Sequence, residues 1–378
     1  MDNLRMVDLK GQYTFIQKEI ESSLSEIIEK TDFINGKPVH RFQQNLEEYL
    51  EVKHVIPCAN GTDALQIALM ALGLKPGDEV ITADFTFAAT VEVIALLRLK
   101  PVLVDVNPQT FNLDIQAVTN AISPKTKAII PVHLFGQAAP MEALLKVARK
   151  HNLFVVEDNA QALGANYTFS SGKKGKTGTL GTLGTTSFFP SKNLGAYGDG
   201  GALFTQDDKL AKTLRAIVNH GMYKRYYHEL VGVNSRLDSI QAAILDVKLK
   251  YLDFYNEKRK AAALAYTERL KDQSGIITPF REKGCDTHVY HQYTLRITHN
   301  KRDALAAYLQ TQKIPFGIYY PVPLHRQKAY RSFGFSEADF PVTNQLVDEV
   351  ISLPMHTELT LSQIDFVCHH IQKFLSNA

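Results

Sequence analysis

The stretch KAIIPVHLFGQAAPMEALLKVARKHNLFVVED, residues 127–158, decides the fold. Two apolar runs with strand character, KAIIPVHLFG and LFVVED, flank the amphipathic helical stretch MEALLKVARKHN. Upstream the same alternation continues through VIPCAN (55–60), ALQIALMAL (64–72), EVITAD (79–84), VEVIALLRLK (91–100) and PVLVDV (101–106). Strand and helix in turn predict βαβ units and a largely parallel sheet, whose strands, covered on both faces, read as apolar runs. Ligands of such sheets bind beyond the carboxyl ends of the strands, so the residues there are the first candidates for chemistry.

Outside this α/β core, residues 12–51 carry helical spacing, with Ile16, Ile20, Leu24 and Ile27 on one face of a first segment and Phe42, Leu46, Tyr49 and Leu50 on that of a second. Gly36 and Pro38 break between the two. Residues 165–184 carry Gly172, Gly175, Gly178, Gly181 and Gly184 at three-residue intervals and read as a flexible, turn-rich connection, with Lys173, Lys174 and Lys176 solvated. Strands are predicted near 184–189 and 201–205, a helix over 207–219, and one long helix over 237–272 that bridges two domains. From about residue 275 a strand at HQYTLRI, a helix at RDALAAYLQTQ, an irregular YYPVPLH loop and a final helix predict a small α+β domain. The expected division is 1–250 for the large domain with its N-terminal helices and 251–378 for the small one.

At 378 residues the chain is long enough for two to three domains. Its 45% hydrophobic and 21% charged residues exclude a disordered, collagen-like or disulfide-scaffold protein. Lys+Arg 42 against Asp+Glu 39 leaves +3, too close to balance to drive binding to nucleic acid. Cys58, Cys285 and Cys368 are far apart and form no metal-ligand spacing, so they read as core residues of a reducing compartment. No window is apolar enough for a membrane span or a signal peptide, and the chain reads as cytoplasmic.

Four local features matter in combination. Gly61, Thr62, Asp63 and Ala64 stand between a strand and a helix, where open N–H groups and the positive dipole end suit a phosphate, although Thr62 could equally be an N-cap. Asp158, followed by Gln161, ends the strand LFVVED, a place for ligand binding or for capping. Lys192 in SFFPSKN lies downstream, and a lysine that meets a bound aldehyde can form a Schiff base. Asn234 and Arg236 in GVNSRLDSIQAA precede the long helix. A phosphate cradle, a strand-end aspartate and a later lysine are what a pyridoxal phosphate enzyme requires. His133, His325 and His356 pair with no carboxylate at i, i+4 spacing, so no metal is expected.

On these residues the sequence resembles the DegT/StrS family of pyridoxal phosphate-dependent nucleotide-sugar aminotransferases. The likeness runs through FINGKPVHRFQQNLEEYL, NGTDALQIAL, VHLFGQ, VVEDNAQALGA, SFFPSKNLGAYGDGGALF, VGVNSRLDSIQAAIL and YYPVPLHRQ. It implies the aspartate aminotransferase-like fold (fold type I), with a large mostly parallel sheet domain and a smaller C-terminal α+β domain. Carried over, it makes Lys192 the Schiff-base lysine, Asp158 the partner of the pyridine nitrogen and Gln161 a neighbour of the ring oxygen. Gly61, Thr62, Asp63 and Ser187 would surround the phosphate and Phe87 in DFTFAAT would stack on the ring. The family also implies a homodimer with shared sites, in which Asn234 reaches the other subunit's cofactor.

For the substrate, the resemblance implies a nucleotide-linked keto sugar with glutamate as amino donor. The pattern looks most like aminotransferases acting on UDP-2-acetamido-2-deoxy-3-keto-glucuronate, in which an arginine at the position of Arg236 meets the sugar carboxylate. Tyr319, Tyr320 and His325 would complete the substrate site, with Tyr319 standing where that group can have histidine. The alternatives are an aminotransferase for another dTDP- or UDP-linked keto-deoxy sugar, a sugar dehydratase, and a noncatalytic regulatory protein.

Overall fold

The computed structural model describes residues 4–377. Two helices, α1 (Leu9–Lys30) and α2 (Lys37–Leu50), lead the chain, separated at Gly36, with Pro38 in the first turn of α2. Ile16, Ile20 and Ile27 are buried along α1, and Phe42, Leu46 and Leu50 along α2. The α/β core follows as β1 (His54–Cys58), α3 (Gly61–Ala71), β2 (Glu79–Ala83), α4 (Ala89–Leu96), β3 (Lys100–Val104), α5 (Ile115–Ala121), β4 (Thr126–Ile130), α6 (Met141–His151) and β5 (Phe154–Asp158). A short ribbon, β6 (Asn166–Thr168) with β7 (Lys174–Lys176), precedes β8 (Leu183–Ser187), β9 (Gly201–Thr205) and α7 (Asp208–Ile217).

The seven-stranded sheet has the order β1-β9-β8-β5-β4-β2-β3. Strands β3, β2, β4, β5 and β8 are mutually parallel, and β9 alone runs against its neighbours β8 and β1. Apolar clusters on both faces bury it, which is why its strands lack alternation. The carboxyl ends of β1, β5 and β8 open onto one cavity.

Beyond α7, an exposed hairpin of β10 (Met222–Lys224) and β11 (Tyr227–His228) leads to α8 (Ser239–Leu249) and α9 (Leu252–Leu270). The single helix expected over 237–272 is thus two helices, parted at Tyr251, whose φ of −106° and ψ of 2° leave the helical region. The reason is packing. Ile244 and Val247 hold α8 against Ile16 and Ile20 of α1, whereas Ala263, Tyr266 and Leu270 carry α9 into a separate core. That core covers the antiparallel sheet β12 (Ile276–Ile277), β13 (Tyr293–Ile297) and β14 (Val350–Leu353), with α10 (Arg302–Thr311) and α12 (Leu361–Asn377) packed on it and α11 (Pro341–Glu349) beside β13. Leu4 joins this C-terminal core, and the Met6 carbonyl accepts from the Met355 N–H. Among the described residues no helix is long and apolar enough to cross a membrane.

The glycine-rich segment is tied down where a flexible connection is expected. Fully buried Glu157 accepts the N–H groups of Gly178 at 2.8 Å and of Leu180 and Gly181 at 2.6 Å. His133 lies 2.9 Å from the same carboxylate, and its Nδ1 accepts the Ala139 N–H, which leaves Nε2–H to donate to Glu157. Glycine is required where the turns meet: a Cβ on Gly184 would stand 1.8 Å from the Gly178 carbonyl oxygen. Removing the carboxylate strands four donors, those of Gly178 and His133 buried and those of Leu180 and Gly181 half-buried. Glu157→Ala is therefore expected to lower the unfolding free energy by roughly 3–5 kcal/mol, read from urea denaturation midpoints; an unchanged midpoint would refute the anchoring role.

Candidate active site

The chain enters α3 from β1 through Ala59 and Asn60. Asn60 Oδ1 accepts the Asp63 N–H at 2.8 Å, so Asn60 rather than Thr62 caps the helix, and Thr62 faces the cavity from the first turn. At Gly61 the helix approaches β8 so closely that a Cβ would lie 2.6 Å from Ser187 Cβ. No side chain intervenes between the helix start and Ser187. Open N–H groups, the positive dipole end and the two hydroxyls make this a cradle for a phosphate. Asp63 does not line the cavity, and its N–H is taken up by the Asn60 cap, so it does not join the cradle.

Asp158 closes β5, and a turn rather than a helix follows it. Its Oδ2 accepts the Thr90 hydroxyl at 2.9 Å and its Oδ1 the Ala160 N–H at 3.2 Å. Burial pushes the carboxyl up from the usual range, opposed by these two bonds and by the charge of Lys192. Lys192 sits on the loop beyond β8, closed by Lys192 N–H to the Phe189 carbonyl at 2.8 Å. Burial draws its ammonium down to about 8, with Asp158 pulling the other way. A buried carboxylate and an amine drawn toward neutrality thus share one cavity of about 690 Å³.

Gln161 accepts the Phe135 N–H at 2.8 Å and donates to the Tyr320 hydroxyl at 3.1 Å, joining the β5 turn to the loop that carries Tyr319 and Tyr320. Phe87 is 57% exposed, leans on the Tyr320 ring at 6.1 Å and leaves its own face free. Gly61, Thr62, Phe87, Asp158, Gln161, Ser187, Lys192, Tyr319 and Tyr320 therefore gather in one lining. His325 does not. Its N–H and Nδ1 both meet Asp84, at 2.8 and 2.6 Å, and its ring stacks on Phe340, so it ties the tyrosine loop to the end of β2 instead of facing the cavity. Asn234 is exposed and Arg236 half-buried, both outside this chain's cavity lining, with Asn234 bridged to Asn219 at the base of the hairpin.

Two participants escape the sequence reading. Thr90, which holds Asp158, carries no local signal beyond a hydroxyl near the start of α4. His291 lines the cavity 6% exposed, its Nδ1 buried without a partner, and burial together with the charges of Lys192 and Arg259 drives it well below the usual histidine range. In the sequence it is one polar residue at the edge of a strand.

The model of the DegT/DnrJ/EryC1/StrS aminotransferase family matches residues 14–372. The chain belongs to this family. A Pseudomonas aeruginosa relative named UDP-2-acetamido-2-deoxy-3-oxo-D-glucuronate aminotransferase is 45% identical over 365 residues, covering 97% of this chain and 98% of its own. A Geobacillus stearothermophilus relative named pleiotropic regulatory protein is 47% identical over 374 residues, covering 98% of both. The solved structure of NtdA from Bacillus subtilis with bound cofactor PMP superposes with a TM-score of 0.89 at 30% identity, over 98% of this chain and 83% of that one.

This member of the DegT/DnrJ/EryC1/StrS family is a pyridoxal phosphate-dependent aminotransferase. The observed walls fit that cofactor: a phosphate cradle that a Cβ at Gly61 would fill, a buried carboxylate, and an amine of lowered proton affinity. Below a pH of about 8 the Lys192 amine is protonated, and above it neutral and nucleophilic. In the cofactor-free protein, acylation of Lys192 should reach half its limiting rate near that pH by peptide mass spectrometry; a midpoint at the ~10.4 of a free lysine would contradict the burial effect.

Proposed function

We propose that this aminotransferase moves the amino group of glutamate onto a UDP-linked 3-keto sugar acid, UDP-2-acetamido-2-deoxy-3-keto-glucuronate, supplying a 3-amino sugar for surface polysaccharide. The convergence of Lys192, Asp158 and the cradle at Thr62 and Ser187 in one cavity carries the transamination chemistry. When bound, pyridoxal phosphate supplies an aldehyde carbon for amine exchange and a ring that takes up electrons released at the amino-bearing carbon. Lys192 Nζ would hold the cofactor and, with its affinity drawn to about 8, take and return a proton at neutral pH. Asp158, braced by Thr90 and the Ala160 N–H, would pair with the ring nitrogen. Phe87 would cover one ring face, Gln161 would meet the ring oxygen, and the first turn of α3 with Ser187 would neutralise the phosphate.

The named activity of the Pseudomonas aeruginosa relative supports the sugar acid. So does Arg236. Glutamate and a uronic acid both bring carboxylates, yet among the described residues no arginine lines the cavity of a single chain. Asn234 and Arg236 lie at the foot of an exposed hairpin bearing Tyr226 and Tyr227, beside Val231, which is 87% exposed. A homodimer that buries this apolar projection would deliver Asn234 and Arg236 to the partner's cavity, completing each site with a guanidinium. A sugar dehydratase is disfavoured by Lys192, where that class resembles sequences with histidine. A purely regulatory role, suggested by the name of the Geobacillus relative, leaves the gathered lysine, aspartate and cradle without a purpose. An aminotransferase for another dTDP- or UDP-linked keto sugar shares the same cavity groups and differs in what Arg236 meets.

Borohydride reduction of the cofactor-loaded protein should place the label on Lys192 by peptide mapping, and Lys192→Ala should abolish turnover without unfolding the chain; a label on another lysine would sink the site.

Arg236→Ala should lose roughly 2–5 kcal/mol of binding, about 30-fold to several thousand-fold, toward the uronate. Selectivity over the neutral sugar should collapse with it, read by product mass spectrometry across a panel of UDP- and dTDP-linked keto sugars with glutamate. Unchanged uronate selectivity would reject the substrate.

A further inference from the structure

Three walls of the cavity come from segments far apart in sequence: the turn after Asp158 and Gln161, the loop after Lys192, and the segment leading to His291. Two of them meet one buried side chain of α9 directly, and the third is joined to it through Asn193. Asn256, 4% exposed, accepts through Oδ1 from Asn193 Nδ2 at 2.7 Å and donates through Nδ2 to the Leu163 carbonyl at 3.2 Å. The same Asn193 amide also donates to the Val289 carbonyl at 3.0 Å. Leu163 closes the first wall, Asn193 follows Lys192, and Val289 precedes His291 by two residues. The backbone is shaped around this carboxamide: a Cβ on Gly164, which has a φ of +91°, would lie 2.5 Å from Asn256 Nδ2.

The neighbouring anchors act on the same walls. One turn along α9, buried Arg259 donates through Nη1 to the carbonyls of Tyr290 at 3.3 Å, His291 at 3.4 Å and Met355 at 3.1 Å. From α8, Lys248, 1% exposed, donates to the Gly195 carbonyl. We propose that Asn256 is a positioning residue for Lys192, the shared hydrogen-bonding group that keeps the lysine loop in register with the other two walls. The proposal rests on Lys192 being the cofactor lysine. A carboxamide suits the task because its oxygen accepts from one segment while its nitrogen, a separate atom, donates to another; aspartate keeps only the first bond and leucine neither. Since α9 continues into the C-terminal core, the lysine is referred to that core as well as to the sheet.

The test compares the cofactor-free protein with its Asn256→Leu, Asn256→Asp and Asn193→Ala variants. Hydrogen exchange read over 159–164, 191–197 and 288–292 should quicken by about tenfold or more in Asn256→Leu, with β2 unchanged. In the same variant the pH midpoint for acylating Lys192 should move up, and pyridoxal phosphate, followed by its visible band, should bind about tenfold more weakly. Asn256→Asp, the milder change, should quicken 159–164 while sparing 191–197, which keeps the proposal testable should the leucine variant unfold. Combining Asn193→Ala with Asn256→Leu should give less than the sum of the two, because they share a bond. Faster exchange confined to α9, or an unmoved Lys192 midpoint, would overturn the proposal. A parent protein that forms no borohydride-stable adduct at Lys192 would fail the functional reading instead, while the exchange measurements still decide the role of Asn256.

Discussion

Two adjacent carboxylates at the end of β5 organise the site by having different partners. Glu157 sits among backbone N–H groups and His133, pinning the glycine-rich segment to the sheet. Asp158 faces the cavity with a single hydroxyl and one N–H to hold it. A buried carboxylate with four donors is a structural anchor. One with fewer donors keeps capacity for a ligand, at the cost of a carboxyl that burial pushes up. Successive side chains of a strand point to opposite faces, so the two roles occupy consecutive positions without interfering.

Opposite Asp158, the amine of Lys192 experiences the same burial with the reverse sign. Desolvation favours the neutral form, the neighbouring carboxylate favours the charged one, and the balance falls at about 8, within reach of neutral pH. The surrounding loops have little freedom to relax this arrangement. Phe188 and Phe189 close the lysine loop on itself, and Asp84 clasps His325 to fix the tyrosine loop at the end of β2. Preorganised groups of this kind meet a charged ligand without reorganising for it.

The order of apolar strands and amphipathic helices by itself determined the α/β class and the mostly parallel sheet, because burial of both sheet faces writes itself into local hydrophobicity. Local motifs at strand ends and a helix start, where backbone geometry directs the side chain, also marked Lys192, Asp158 and Thr62 as candidates, whereas Ser187 came from the family resemblance. Three expectations depended on distant partners and came out differently. The helix over 237–272 breaks at Tyr251 because its two halves serve separate cores, the glycine segment is pinned by a glutamate outside it, and His325 answers to Asp84. Only the tertiary structure could decide these, and with them the roles of Thr90, His291 and Asn256. Thr90 and Asn256 are lone polar residues whose hydrogen-bond partners lie 63 to 93 residues away, and His291 is set by the cavity it lines, so no local periodicity records their surroundings.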